Sequence, residues 1–424
     1  MNLRRHYLVI FILSGLLLGC NTHMNQSKEK NAKDILGNPD YLAMSYGGYR
    51  HTTRDIQPTI AELKEDLLIL EAMDIKFLRT YHTKLKQASN LVKAIHELKE
   101  KDPSFEMYVM LGAWIDCENA WTDAPNHDSE NADENAAEVE RAVNMAQTYP
   151  EIVKVIAVGN EAMVHWAASY YVKPSIILKY VNQLQNLKIK GKLSKDLWIT
   201  SSDNFASWGG GDNSYHNKDL TELINAVDYV SVHTYPFHDT HYNADFWYDN
   251  KADETLNDEE KIQAAIQRAK KYAKGQYQAT KKYIESLGIQ KPIHIGETGW
   301  ASSSNQQYGV NGSKAADEYK EKLYYEAMRT WTNEAGLSCF YFEAFDEPWK
   351  DATNPLGSEN HFGLIAINNE VKYVLWDAFD KGTFEGLVRN GKPLKKSYNG
   401  DLSKLLEEVS VPSLKKQVPA EISK

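Results

Sequence analysis

Cysteine is scarce: 424 residues contain three, Cys20, Cys117 and Cys339, too few and too far apart for a disulfide framework. Long apolar runs are missing as well, since the stretch Tyr7 to Leu18 falls short of the ~20 residues that span a bilayer. Neither GxGxxG nor GxxxxGK[ST] occurs, which removes the common nucleotide-binding fingerprints. Basic residues are in deficit, 48 against 58 acidic, for a net charge of −10. That balance argues against nucleic acid and for an uncharged or cationic ligand. What is present is a globular composition, 42% hydrophobic and 25% charged, which excludes wholesale disorder. Aromatics are in surplus, with 10 Trp, 25 Tyr and 12 Phe. Apolar clefts with a few polar groups are one place for such rings.

Arg4, Arg5 and His6, the apolar run, and then Leu17, Leu18, Gly19 and Cys20 read as an export signal over residues 1–19 followed by a lipidated Cys20. An ordinary cleaved signal with an incidental cysteine is the plainer alternative. Asn21 is not the acid that favours inner-membrane retention, so the expectation is an exported protein, lipid-anchored at the outer membrane and cell surface. Residues 20–40 are polar without periodicity and read as a flexible tether.

Along the body, β-rich runs start at Leu42, Ile75, Phe105, Val153, Leu197, Ala226, Lys291 and Leu337. Between them lie segments with apolar residues three and four apart, such as Leu91, Val92, Ile95 and Leu98, which predict amphipathic helices. Eight strand–helix units predict an α/β fold, a single (β/α)₈ barrel over 41–395, in preference to a doubly wound sheet. A polar tail with one short helix, Leu402 to Val409, is expected over 396–424. Each run starts apolar and ends in polar groups, among them Arg79, Asp116, Asn160 with Glu161, Asp203, His233, Glu297 and Glu343. Barrel enzymes build their sites at these C-terminal strand ends.

Asn-Glu occurs three times, at Asn160, Asn333 and Asn369, so context decides. Only Asn160 and Glu161 follow a strand and precede a helix-length stretch. Glu297 ends the seventh run in the same way. The fourth and seventh strands lie almost across a barrel, so the two carboxyls can meet over its centre. Two carboxyls flanking one bond are what glycoside hydrolysis requires, one neutral and one ionised. Which is which stays open at this level, as does the plainer reading of solvated acids or partners of Arg79 and Lys350.

VGNE with Ala162 and Met163, then IGETGW, then FEAFDEPWK resemble glycoside hydrolase family 17, the β-1,3-glucanase family of clan A, over roughly Tyr41 to Trp376. The resemblance implies Glu161 as general acid/base and Glu297 as nucleophile in a retaining, endo-acting cleavage of laminarin-like β-1,3-glucan. It further implies that Asn160 holds the sugar 2-OH and that Tyr235 sits beside the nucleophile. Glu347, Lys350 and Glu359 match the charged network that supports the pair. His233 stands where the family usually has Asn, and Ala301 where it has Pro. No cofactor or metal is expected; the close spacing of His233, His238 and His241 is read as donors to hydroxyls. The partners implied are neutral β-glucans, with the membrane reached only by the lipid, and the chain acts as a monomer.

Sugars present apolar faces that stack on rings. Of the aromatics at strand ends, Tyr46, Trp300 and Trp349 are expected to be such platforms, while Phe345, Tyr81, Trp114, Trp166 and Trp208 are as readily core. The segment 239–257, with Phe246, Trp247 and Tyr248, is expected to wall one end of the cleft. Two rivals share these residues: a β-1,3-glucanosyltransferase of the same family, and a surface lipoprotein that captures glycan without cutting it.

Overall fold

The structure, a computed structural model, describes residues 30–248 and 252–412. The proposed signal peptide and Cys20 lie outside the described residues. Eight parallel strands close into a barrel: β1 Leu42–Ser45, β2 Ile75–Arg79, β3 Tyr108–Ala113, β4 Val153–Asn160, β5 Trp198–Asn204, β6 Val230–His233, β7 Ile293–Gly299 and β8 Cys339–Phe342, with β8 pairing back onto β1. The longer helices between them are α1 Ile60–Ala72, α2 Lys86–Lys101, α3 Ala132–Thr148, α4 Pro174–Ile189, α5 Lys218–Ala226, α6 Asp258–Ser286 and α7 Glu318–Glu334, and α8 Trp376–Asp380 follows the last strand. This is the (β/α)₈ barrel the strand–helix alternation predicts.

Local chemistry sets the helix starts. Thr59 and Glu62 form a reciprocal capping box at α1, and Asn257 with Glu260 does the same at α6, each satisfying amide donors that have no partner within the helix. Strand residues alternate between two apolar layers. Met44, Leu78, Val109, Leu111, Ile156 and Val158 join the helix-facing core, while Ala43, Phe77, Met110, Val155, Ala157 and Phe340 form a separate cluster.

That second cluster corrects the expected tether. Residues 31–36 form a capped turn of helix, Ala32–Ile35, and Ala32, Ile35 and Leu36 are buried with Phe77 and Phe340. Gly37 donates to Ser338 Oγ at 2.9 Å, and a Cβ there would stand 2.4 Å from the Gly336 carbonyl. The segment therefore caps the end of the barrel remote from the catalytic strand termini.

The other end of the chain departs from expectation in the same way. The helix spans Leu402–Glu407, Leu405 is buried, Ser397 Oγ donates to Glu318, and Lys320 Nζ reaches the Ser410 carbonyl at 2.7 Å. Residues 396–410 are thus docked on α7. Both cysteines of the body, Cys117 and Cys339, are buried free thiols.

Candidate active site

Parallel pairing aligns the strand ends into a ring. Ser45 is in register with Arg79, Asn160 with Ser202, Asn204 with His233, and His233 with Glu297. The polar residues that close each apolar run therefore meet at one mouth, although some stand more than 200 positions apart in the chain.

Strand β4 ends in a tight turn. Gly159 has φ +82°, and a Cβ on it would meet Ala162 Cβ at 2.9 Å. Glu161 takes φ +46°, a left-handed conformation that costs a non-glycine residue strain and persists only where neighbours fix it. The neighbours are on β5: Glu161 N–H donates to the Ser202 carbonyl at 3.0 Å, and Met163 N–H donates to Asp203 Oδ2 at 2.8 Å. The Glu161 carboxyl then meets His233 Nδ1 at 3.0 Å, and His233 Nε2 meets Ser202 Oγ at 2.8 Å. Burial, reinforced by Arg79, pushes His233 down to about 4, so this imidazole is neutral near pH 7. Burial, followed by the charge of Glu297, pushes Glu161 up to about 8.

Glu297 lies in the opposite environment. Arg79 Nη1 pairs with its Oε2, Tyr81 Oη donates to the same oxygen at 2.9 Å, and Tyr235 Oη donates to Oε1 at 2.6 Å. Burial alone would raise this carboxyl, but the charges of His233 and Arg79 and the two tyrosine hydroxyls outweigh it and hold it well below the ordinary range. Because His233 is neutral near pH 7, the lasting cation is Arg79, which is itself fully buried and kept charged. The same guanidinium donates to the Gly296 carbonyl at 2.8 Å and to Asn160 Oδ1. With that oxygen occupied, the Asn160 amide presents its N–H donors. One carboxyl held neutral beside one held ionised is the division of labour that acid-assisted displacement at an acetal carbon needs.

Glu161, Glu297 and Tyr235 line a cavity of about 780 Å³ together with Trp166, Tyr308 and Glu359. Glu359 is exposed at its rim. Glu347 is buried and accepts from Tyr49 N–H and from Trp349 Nε1, each at 3.0 Å. Lys350 Nζ is 3.6 Å from Glu347 and 3.9 Å from Glu343; it does not contact Glu297, whose cation is Arg79. Trp349 is half-buried under the Arg54 guanidinium, 4.1 Å from its ring.

Two expected sugar platforms, Trp300 and Tyr46, are corrected, and Phe345, a candidate contact as readily core, is core. Trp300 has no exposed surface, donates from Nε1 to the Ala315 carbonyl at 2.8 Å, and packs among Phe237, Trp247 and Tyr324. Tyr46 is buried with its hydroxyl on Asp66 at 3.0 Å. Phe345 is buried between Tyr46 and Arg389. Trp247 is also core, with Nε1 on the Ser313 carbonyl at 2.7 Å, so it does not wall the cleft. Trp300 and Trp247 both turn inward, where a backbone carbonyl is available to each indole N–H.

Arg79, Tyr81 and His233 are site residues whose part at the catalytic pair the sequence reading does not give. Arg79 figures there only as a partner in the plainer reading of the acids, Tyr81 as an even candidate for a sugar platform, and His233 as a donor to hydroxyls, whereas its ring is bonded to Glu161 and Ser202. The one signal they carry is their place at a strand end. His238 bonds Tyr308 Oη at 3.1 Å and does not converge with His233. Among the described residues, no cluster of three or more His, Cys, Asp or Glu is arranged to hold a metal.

Known proteins share the barrel. An endo-laminarinase from Formosa Hel1_33_131 of known structure is 63% identical and superposes with a TM-score of 0.90, covering 92% of this chain and 99% of that one. A glucan 1,3-beta-glucosidase of Arthroderma benhamiae is 26% identical over 62% of this chain and 70% of its own. A probable glucan endo-1,3-beta-glucosidase btgC of Aspergillus flavus is 24% identical over 80% of this chain, which spans 44% of that longer protein. Residues 43–363 match the BtgE/BtgC glycoside hydrolase domain, and the chain belongs to that family.

Proposed function

We propose that the protein is a retaining endo-β-1,3-glucanase that hydrolyses neutral, laminarin-like glucan. The observation that carries this reading is the opposed pair at the mouth: Glu161 held neutral by burial, and Glu297 held ionised by Arg79, Tyr81 and Tyr235. The 63% identity to an endo-laminarinase supports the linkage and the internal mode of attack.

Glu161 donates its proton to the glycosidic oxygen as the Glu297 carboxylate attacks the anomeric carbon; the C–O bond breaks, the aglycone leaves protonated, and a glycosyl ester forms on Glu297. Glu161, now a carboxylate, takes a proton from water, whose oxygen attacks the same carbon and releases Glu297. Asn160, its carbonyl oxygen fixed by Arg79, offers N–H to the sugar 2-OH, a bond that strengthens as charge develops in the transition state. The excess of acidic residues disfavours sulfated or uronic polysaccharides.

Incubation with laminarin, mixed-linkage glucan and cellulose, with timed sizing of the products, tests the reading. Early products of several lengths from laminarin and none from cellulose are expected. Products longer than the substrate would instead mark a transferase, and an absence of cleavage would leave a glycan-binding protein. We also propose, from the basic start, apolar run and Gly19-Cys20 of the sequence, export as a monomeric lipoprotein at the cell surface. Loss of membrane association on Cys20→Ala is the check.

A further inference from the structure

The loop after β3 carries an aromatic that the reaction above does not use. Trp121 is 62% exposed, yet its backbone is held at φ +65°, a conformation that is an outlier for a bulky residue. Two hydrogen bonds fix it: Trp121 N–H donates to the Ser169 carbonyl at 2.8 Å, and nearby Cys117 N–H donates to the Tyr170 carbonyl at 3.1 Å. One face of the indole stacks on Tyr170, with ring centres 4.8 Å apart and planes 21° apart. Trp114 lies behind, 5.1 Å from Tyr170 and 6.3 Å from Trp121. Nearby Asp116 is pushed up by burial, against the N–H groups of Asn131, Trp114 and Trp121 that draw it back. The outer face of Trp121 is left open, rigid and apolar.

This shelf adjoins the cleft. Tyr170 is close enough to Glu161 and Glu297 to feel both charges, and Trp166, four residues earlier on the same loop and 61% exposed, lines the catalytic cavity. A backbone strained to hold an exposed ring needs a compensating use, and a pyranose presents the flat apolar C–H face that fits one.

We propose that Trp121, backed by Tyr170 and Trp114, is a stacking platform for a glucosyl unit of the β-glucan chain beyond those held at the catalytic pair. The inference rests on the β-1,3-glucanase reading and adds to it a contact that only a long chain reaches.

The test compares Trp121→Gly and Trp121→Phe with the parent on long laminarin and on an aryl β-laminaribioside. Glycine accepts φ +65° without strain, so Trp121→Gly removes the ring without loss of fold, which a thermal melt verifies. A lost aromatic stack, at about 0.5–1.5 kcal/mol, converts to a roughly two- to twelvefold rise in KM for laminarin. We expect that rise with kcat unchanged, values within about twofold of the parent on the short substrate, and retention of most long-chain affinity by Trp121→Phe. Parent-like KM on laminarin, or equal losses on both substrates, overturns the platform. Migration through a laminarin-containing gel separates this from failure of the enzymatic reading. A parent that is retarded without cleaving, with Trp121→Gly unretarded, sinks the hydrolase and keeps the platform; a parent neither retarded nor active sinks both.

Discussion

Arg79 organises the proposed nucleophile and the proposed 2-OH ligand at once, so its replacement by lysine separates charge from geometry. The guanidinium makes three contacts from a fully buried position: Glu297 Oε2, the Gly296 carbonyl and Asn160 Oδ1. A lysine ammonium is a point charge that can stay near Glu297 but has no planar fork to reach the other two acceptors. Two hydrogen bonds are lost at about 0.5–1.5 kcal/mol each, so Arg79→Lys should lower kcat/KM on laminarin by about 5- to 150-fold, with the acidic limb of the pH profile little moved. Arg79→Met removes the charge as well. It leaves Glu297 buried without a lasting cation, a loss of about 3–5 kcal/mol, which corresponds to a rise of about two pH units or more in the acidic limb. The sign follows from Glu297 having to be ionised: raising its affinity for the proton moves the loss of activity to higher pH. Initial rates against pH for parent and both variants read these effects. An acidic limb at the same pH in Arg79→Met would refute the assignment of Arg79 as the cation that keeps Glu297 charged.

Glu161→Gln should cost about 10²- to 10⁴-fold in kcat on laminarin and remove the alkaline limb. That limb should lie near 8 in the parent, with activity falling as pH rises because the acid loses its proton; a surviving alkaline limb in the variant counts against Glu161. Trp300→Ala should destabilise the fold by about 3–5 kcal/mol, seen as a lower melting temperature, because the ring is core; an unchanged melt with weakened glucan binding would restore it as a platform. Asp66 accepts from Arg50 at 2.8 Å and from Arg389 Nε at 2.9 Å, both side chains being buried. Asp66→Ala should cost about 3–5 kcal/mol in urea denaturation by leaving the buried Arg389 guanidinium without its carboxylate, while Arg50 keeps Glu65 at 3.0 Å, and a shift under about 1 kcal/mol would contradict that.

The barrel was legible because its strands are buried on both faces and read as short apolar runs that end in polar residues. Asn160, Glu161 and Glu297 could be picked out for the same reason, and Tyr235 through the family resemblance alone. What such runs give is the height of a residue in the barrel, not the side to which its ring turns. Trp300 and Trp349 both follow strand ends, yet Trp300 turns into the helix layer to reach the Ala315 carbonyl while Trp349 is held at the surface by Glu347 and Arg54. The Arg79–Glu297 pair joins residues 218 positions apart and exists only once the barrel closes, so no local pattern shows it. Residues 31–36 were misread because four helical residues with few apolar side chains have no period to detect, and their burial depends on Phe77 and Phe340.

The central claim is that Glu297 displaces the aglycone and water then displaces Glu297. Proton NMR of the newly formed reducing end in the first minutes of laminarin hydrolysis, before the anomers equilibrate, reads the stereochemistry of that sequence. Two displacements give the β-anomer first; an initial α-anomer would mean a single displacement by water and would contradict the role of Glu297 as nucleophile.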